Sequence, residues 1–257
     1  MRLSVKVAIS VTSVALFFVL WQTAAAQQWV DPLLLPSLID IGQTAQELAI
    51  DGYRQVPLWQ NIAVSMARSL SAFTCAILLG VPVGLMMGMS ETLTAVLNPF
   101  VQFLRPLPKI ALIPLAVVWL GIGEASKFFL IFIATFLSVI VGAQAAVERL
   151  GRSHIRVAQT LGASRRQIFL RVVLPNTLPD LFTTVRLSVG IGWTSLIAAE
   201  MVAANSGLGW MVINASSYLR TDIVMIGILL LGGIGYLLDL LLLGMQRWLV
   251  PWAGREG

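Results

Sequence analysis

The chain has 257 residues, 58% of them hydrophobic and only 11% charged, against about 25% charged in ordinary soluble domains. One soluble core cannot enclose that much apolar surface, so the composition reads as an all-α polytopic membrane protein. A single cysteine (Cys75) and a single histidine (His154) exclude a disulfide framework and argue against a Cys/His metal site, while the net charge of +5 is read as a report on membrane orientation and not as a nucleic-acid surface.

Arg2 and Lys6 precede the apolar run Val7 to Leu20 and then Ala24-Ala25-Ala26, which fits a cleavable signal peptide as well as a first span. A retained transmembrane helix over 1–26 is the expectation, and in either case Gln27 emerges outside. Residues 27–57 read as an outer segment punctuated by Pro32, Pro36, Gly52 and Pro57, with one surface helix over Leu38 to Ile50. A second span runs from about Leu58 to Met89, with no charge between Arg68 and Glu91. At 1.5 Å per residue it crosses the roughly 30 Å hydrocarbon core. Its Gly80, Gly84 and Gly88 form a double GxxxG step that permits close helix approach, within the chain or across a dimer.

The third span is irregular. Only fourteen uncharged residues separate Lys109 from Glu124, and Pro106, Pro108 and Pro114 interrupt the helix. A discontinuous helix is costly in lipid unless its freed carbonyls face protein or water, so this segment is a candidate for lining a pathway, with Trp119 as a candidate gate. The fourth span is Phe128 to Val147, the fifth about Phe182 to Ala203, the sixth about Ile223 to Leu249. An inner N-terminus puts thirteen of the 17 lysines and arginines on the cytoplasmic side, Arg105 and Lys109 among them, and leaves Arg54, Arg68, Lys127 and Arg220 outside. The positive-inside rule therefore expects both termini in the cytoplasm.

Two acids stand inside spans. Glu200, toward the outer end of the fifth, needs a partner, and Arg68, about three turns into the second from the same side, is the first choice. Two roles are open for Arg68: holding helices together, or offering its fork of donors to an anionic substrate head group. Asp239 in the sixth span is expected to serve helix packing or capping. Asn205, Gly207 and Gly209, in Asn205-Ser-Gly-Leu-Gly-Trp210, make a tight turn near the outer gate. No GxxxxGK[ST] stretch exists in the chain, so a phosphate-cradling loop is not indicated.

Residues 148–180 join the fourth and fifth spans, and within them Arg156 to Pro175 reads as two short helices. Gly162, after Leu161, suits the left-handed conformation that ends a helix, Ser164-Arg-Arg-Gln167 is a capping box that starts the next, and Pro175 is expected to end it. Ile168, Phe169, Val172 and Val173 fall on one face, with Arg165 and Arg166 away from it in the first turn.

The spacing of Ala158, Gly162, an aliphatic residue ten positions on (Val172) and then Leu174-Pro175 resembles the EAA loop of ABC importer permeases. The departure is Arg156-Val157-Ala158, which stands where that family has Glu-Ala-Ala. The wording from Leu104 to Lys127 and the Ser-Gly-Leu-Gly turn also look like the permeases of taurine, alkanesulfonate and nitrate importers, and the similarity runs over roughly 58–252. This resemblance implies a type I ABC importer transmembrane domain of about six transmembrane helices. Arg156, Ala158, Gly162, Ala163, Ser164, Arg165, Arg166 and Pro175 would then form a cytoplasmic coupling helix seated in a groove of an ATPase subunit. It further implies a homodimer in the bacterial inner membrane, two ATPase subunits that bind ATP and Mg, and a periplasmic or lipid-anchored substrate-binding protein. No cofactor and no catalytic residue are expected in this chain. The implied cargo is taurine or another aliphatic sulfonate, with nitrate, bicarbonate or a thiamine precursor as alternatives. The rival from another class is an ion-coupled secondary transporter working through Glu200 and Asp239, although no inverted repeat is visible.

Overall fold

A computed structural model describes residues 3–252, and Arg2 and Arg255, two of the cations counted above, lie outside them. Every regular element among the described residues is helical. Five helices are long and apolar enough to cross a membrane, and a sixth crossing arises if one bent pair counts as a span. The expected all-α bundle of about six spans is therefore present.

Helix α1 (Leu3–Ala26) is tied to the rest at its far end, where Trp21 Nε1 donates to the Pro36 carbonyl at 3.0 Å and Gln22 Oε1 accepts from the Leu38 N–H at 2.9 Å. The surface helix α2 (Leu38–Ile50) begins with a reciprocal Ser37/Asp40 capping box and is pinned by a 2.8 Å hydrogen bond from Thr44 to Asp222. Helix α3 (Leu58–Met89) coincides with the expected second span.

The glycines of α3 have a definite partner. A Cβ on Gly84 would lie 2.5 Å from the Ile140 carbonyl oxygen and 2.7 Å from Ala143 Cβ, and one on Gly88 would lie 2.6 Å from Val147 Cβ. Gly80 faces Val139 in the same way. All these neighbours belong to α6 (Glu124–Leu150), so the GxxxG ladder serves packing inside the chain. Helix α9 (Leu174–Ala203) lies along α6, and α11 (Thr221–Leu249) completes the long helices.

The third crossing begins earlier than the sequence indicates. Helix α4 (Glu91–Leu104) climbs first, a 3₁₀ turn over Lys109–Leu112 follows the prolines, and α5 (Ile113–Leu120) continues at 93° to α4. The proline-rich bend frees carbonyls that have no helical donor. Lys109 Nζ satisfies three of them, on Leu104, Arg105 and Leu107, at 3.3, 2.7 and 2.8 Å. Arg105 and Lys109, which charge counting groups with the cytoplasmic cations, thus stand at a bend between two helices. Arg105 borders Ser138 and Gly142, halfway along α6, because fourteen residues of α4 have carried the chain there before it turns.

The helix junction at 156–175 also differs in one respect. Helices α7 (Arg152–Thr160) and α8 (Arg165–Ile168) form the expected pair, but Pro175 ends nothing: a π turn over Phe169–Val173 runs on into α9. The wider turn shifts the hydrogen-bond register ahead of Pro175, whose missing N–H then falls in the first turn of α9, where it is tolerated. The fifth span is therefore the end of one helical stretch over 165–203.

Gly84→Leu is expected to overpack the α3–α6 contact and destabilise the protein by about 3 kcal/mol or more, read as a lowered thermal midpoint in detergent. Gly42→Ala, in α2 with nothing within 4 Å of the new Cβ, should leave that midpoint unchanged or slightly raised.

Candidate functional site

At one end of the bundle the polar residues of three long helices converge. Asn61, Ser65 and Arg68 lie at i, i+4 and i+7 along one stripe of α3. Glu124 and Lys127 stand in the first turn of α6, and Glu200 in the last turn of α9. Arg68 Nη1 donates to Glu200 Oε1 at 2.7 Å, so the expected pair forms, with side-chain exposures of 7% and 0%. Its Nε and Nη2 grip Glu124 at 2.6 and 2.7 Å, and Lys127 Nζ reaches Glu124 at 3.0 Å. Two cations meet two carboxylates, so the cluster is neutral, a condition for burying charge at all.

The turn after α9 closes over this cluster. Gly207 has φ +113°, a region that disfavours any side chain, and its Cβ would collide with the Glu200 carboxylate. A Cβ on Gly209 would lie 2.9 Å from both Glu200 Cβ and the Ile197 carbonyl oxygen. The bare backbone thereby donates inward: Gly209 N–H to Glu200 Oε2, Gly207 N–H to Asn61 Oδ1 and Leu208 N–H to Ser65 Oγ, each at 2.9 Å. Ser65 Oγ in turn donates to the Glu200 carboxylate at 2.8 Å, and the Ser206 carbonyl accepts from Arg68 at 2.7 Å. Asn61 Nδ2 is the one buried side-chain polar atom without a hydrogen-bond partner among the described residues. Short helix α10 (Leu208–Ser217) begins directly from this turn.

Of the two roles open for Arg68, the geometry favours the clamp, since each of its three nitrogens already has an acceptor. Sequence reasoning missed Glu124, Lys127, Ser65 and Asn61. The signal was the polar stripe at i, i+4 and i+7 in an otherwise apolar helix. Asn205 is exposed beside the cluster, and Trp119, at the end of α5, is 65% exposed. Asp239 is taken up by Arg186, which holds it through two bonds of 2.9 and 2.8 Å between α9 and α11.

The opposite end carries the α7–α8 hairpin. Gly162 takes φ +79°. Its N–H donates to the Gln159 carbonyl at 3.0 Å and that of Ala163 to the Ala158 carbonyl at 3.1 Å, the paired closure of a Schellman motif. Ser164 and Gln167 complete the reciprocal capping box. Ile168 and Val173 are buried against Leu85, Val147 and Leu181, with Ala158, Ala163 and Phe169 partly buried around them. Arg156, Arg165 and Arg166 face outward beside Val157 and Leu161, which are 59% and 82% exposed. The tip of the hairpin is thus rigid, apolar and ringed by cations, a surface of the kind that marks a protein contact.

Residues 80–255 match the family described as binding-protein-dependent transport system inner membrane component. The taurine transport system permease protein TauC of Escherichia coli (strain K12) is 42% identical over 253 residues, covering 98% of this chain and 92% of its own length. The putative aliphatic sulfonates transport permease protein SsuC of the same organism is 33% identical over 232 residues, 90% of this chain and 87% of that one. Among solved structures, a chain of the MetNI methionine ABC transporter in an inward-facing conformation superposes with a TM-score of 0.67 at 18% identity, covering 74% of this chain and 94% of its own.

Glu200→Ala should strand Arg68 and Ser65 in a buried site and cost about 3–5 kcal/mol. Glu124→Ala should also destabilise, because the buried Lys127 and two nitrogens of Arg68 lose their acceptor, but by less than Glu200→Ala, since water reaches the Glu124 position, whose side chain is 66% exposed. Thermal or denaturant unfolding of the two purified variants checks the order.

Proposed function

The chain belongs to the family of binding-protein-dependent transport system inner membrane components, and on that premise we propose that it carries taurine or a related aliphatic sulfonate inward across the bacterial inner membrane, driven by a separate ATPase. It is the multi-pass permease subunit of an ABC importer. The cargo rests on one observation, the 42% identity to a taurine permease that extends over 98% of this chain.

The ATPase reading rests on the hairpin. A Schellman closure followed at once by a capping box fixes the angle between α7 and α8 without help from the partner, and the exposed Val157 and Leu161 supply apolar surface to bury in a groove. Arg156, Arg165 and Arg166 would meet acidic residues at its rim. Because α8 runs through the π turn into α9, a push on the hairpin is delivered to a helix whose last turn carries Glu200. Two chains form the pathway between them, each with its own ATPase binding ATP and Mg, while a substrate-binding protein delivers cargo at the Arg68 end. Approach of the ATPases draws the two Gly162 hairpins together and turns the pathway outward, a shift that ATP can drive only through contacts that differ between the two states. The cations gathered around the hairpin support a cytoplasmic position for that end, and with it cytoplasmic termini. Ion coupling through Glu200 and Asp239 is disfavoured by their engagement with Arg68 and Arg186.

Gly162→Glu is expected to leave membrane insertion intact and abolish co-purification of the ATPase, because a charged residue with a Cβ enters a left-handed junction in the docking surface. Retained ATPase at one-to-one stoichiometry would sink the docking role. Arg156→Glu, restoring the family's usual acid, should be tolerated or mildly harmful in the same assay. Wild-type complex in proteoliposomes, supplied with its binding protein, should accumulate taurine only with ATP inside the cytoplasmic compartment; accumulation without ATP would favour a secondary carrier.

A further inference from the structure

The cations held between the two ends of the bundle are accounted for, with one exception. Arg68 and Lys127 face Glu124 and Glu200, Arg186 holds Asp239, and Lys109 is spent on three carbonyls. Arg105 has no ion pair and its guanidinium makes no hydrogen bond among the described residues. An arginine beside the middle of α6 is expensive unless water or an anion meets it.

Arg105 borders a pocket of about 160 Å³ shared with Ser138, Val141, Gly142, Thr184 and Leu187. The two hydroxyls there are free to donate. Ser138 Oγ accepts from Ser188 Oγ at 2.9 Å, which leaves its own proton for another acceptor. Thr184 is 8% exposed, and its hydroxyl has no hydrogen bond among the described residues. Gly142 makes room for that side chain, since a Cβ there would collide with both Thr184 Cγ2 and Oγ1. A guanidinium and two hydroxyl donors with no acid among the lining residues suit a small group that only accepts hydrogen bonds.

We infer that Arg105, with Ser138 and Thr184, is an oxyanion-binding station of the translocation pathway that receives the sulfonate group of the cargo at the bend between α4 and α5. The inference rests on the importer reading above. The bend is what makes the station possible: prolines stop α4 at mid-depth, Lys109 satisfies the carbonyls there, and Arg105 at the helix end is left to the pathway. Selection for negative charge is then exercised inside the membrane as well as by the binding protein.

The test uses the complete complex with its cognate ATPase and binding protein in proteoliposomes, following radiolabelled taurine and ATP hydrolysis together. In Arg105→Gln, taurine moved per ATP hydrolysed should fall about tenfold or more, and Arg105→Lys should recover part of it. An unchanged ratio, or loss of hydrolysis in proportion to uptake, overturns the station while leaving the importer reading intact. Wild-type complex that moves no sulfonate overturns the cargo, and the station with it. Labelling that keeps Arg105 in place guards against a variant that fails to assemble. In a Cys75→Ala background, Leu187→Cys should react at least tenfold faster with a sulfonate-bearing thiosulfonate reagent than with its ammonium analogue, and taurine should slow it. Equal rates for the two reagents overturn the station.

Discussion

One guanidinium organises the end of this bundle. Arg68 gathers the start of α6 through Glu124, the end of α9 through Glu200 and the following turn through the Ser206 carbonyl, all from a single position on α3. Buried ion pairs contribute little net stability, because desolvation offsets attraction, but they penalise any arrangement that leaves one partner alone. Their value here is register. With Arg68 and Glu124 joined, α3 and α6 meet in one alignment, and that alignment brings Gly80, Gly84 and Gly88 against α6, where their missing side chains allow close contact. The two glycines of the turn belong to the same constraint, since Gly207 and Gly209 are where the backbone must press onto the Glu200 carboxylate.

Helix α9 links this clamp to the hairpin. Had Pro175 ended the second hairpin helix, the hairpin would hang from the membrane helices by a flexible joint. Instead the π turn absorbs the proline and leaves a continuous helical stretch over 165–203, which transmits displacement better than a loop does. The hairpin end, whose α7–α8 angle is set by Gly162 and Ser164, and the clamp end, fixed by Glu200, are joined by this one helical stretch.

The bent crossing uses the opposite device. Proline, which cannot donate, breaks the helix at mid-depth, and a lysine supplies the donors that water would otherwise give. This departs from the register of the other spans, and it leaves Arg105 exposed at the end of α4, beside Ser138 and Gly142 of α6.

Much of this was legible in the residues. Hydropathy delimited α3 from Leu58 to Met89, helical period gave α2 over Leu38 to Ile50, the cap signal at Ser164 marked where α8 begins, and the cost of an unpaired carboxylate in lipid led from Glu200 to Arg68. These are local or near-local matters: length, charge and turn chemistry act within a few residues, and a buried charge demands its opposite wherever the chain runs. The sequence by itself thus determined the span class, the hairpin and the need for the ion pair. Only the tertiary structure decided that Glu124 and Lys127 join that pair, that Gly80, Gly84 and Gly88 meet α6, and that Arg105 borders Ser138 and Thr184. Each of these depends on the depth and rotation of one helix against another, which no single helix encodes, and which packing, prolines and paired charges settle only when all the helices are in place.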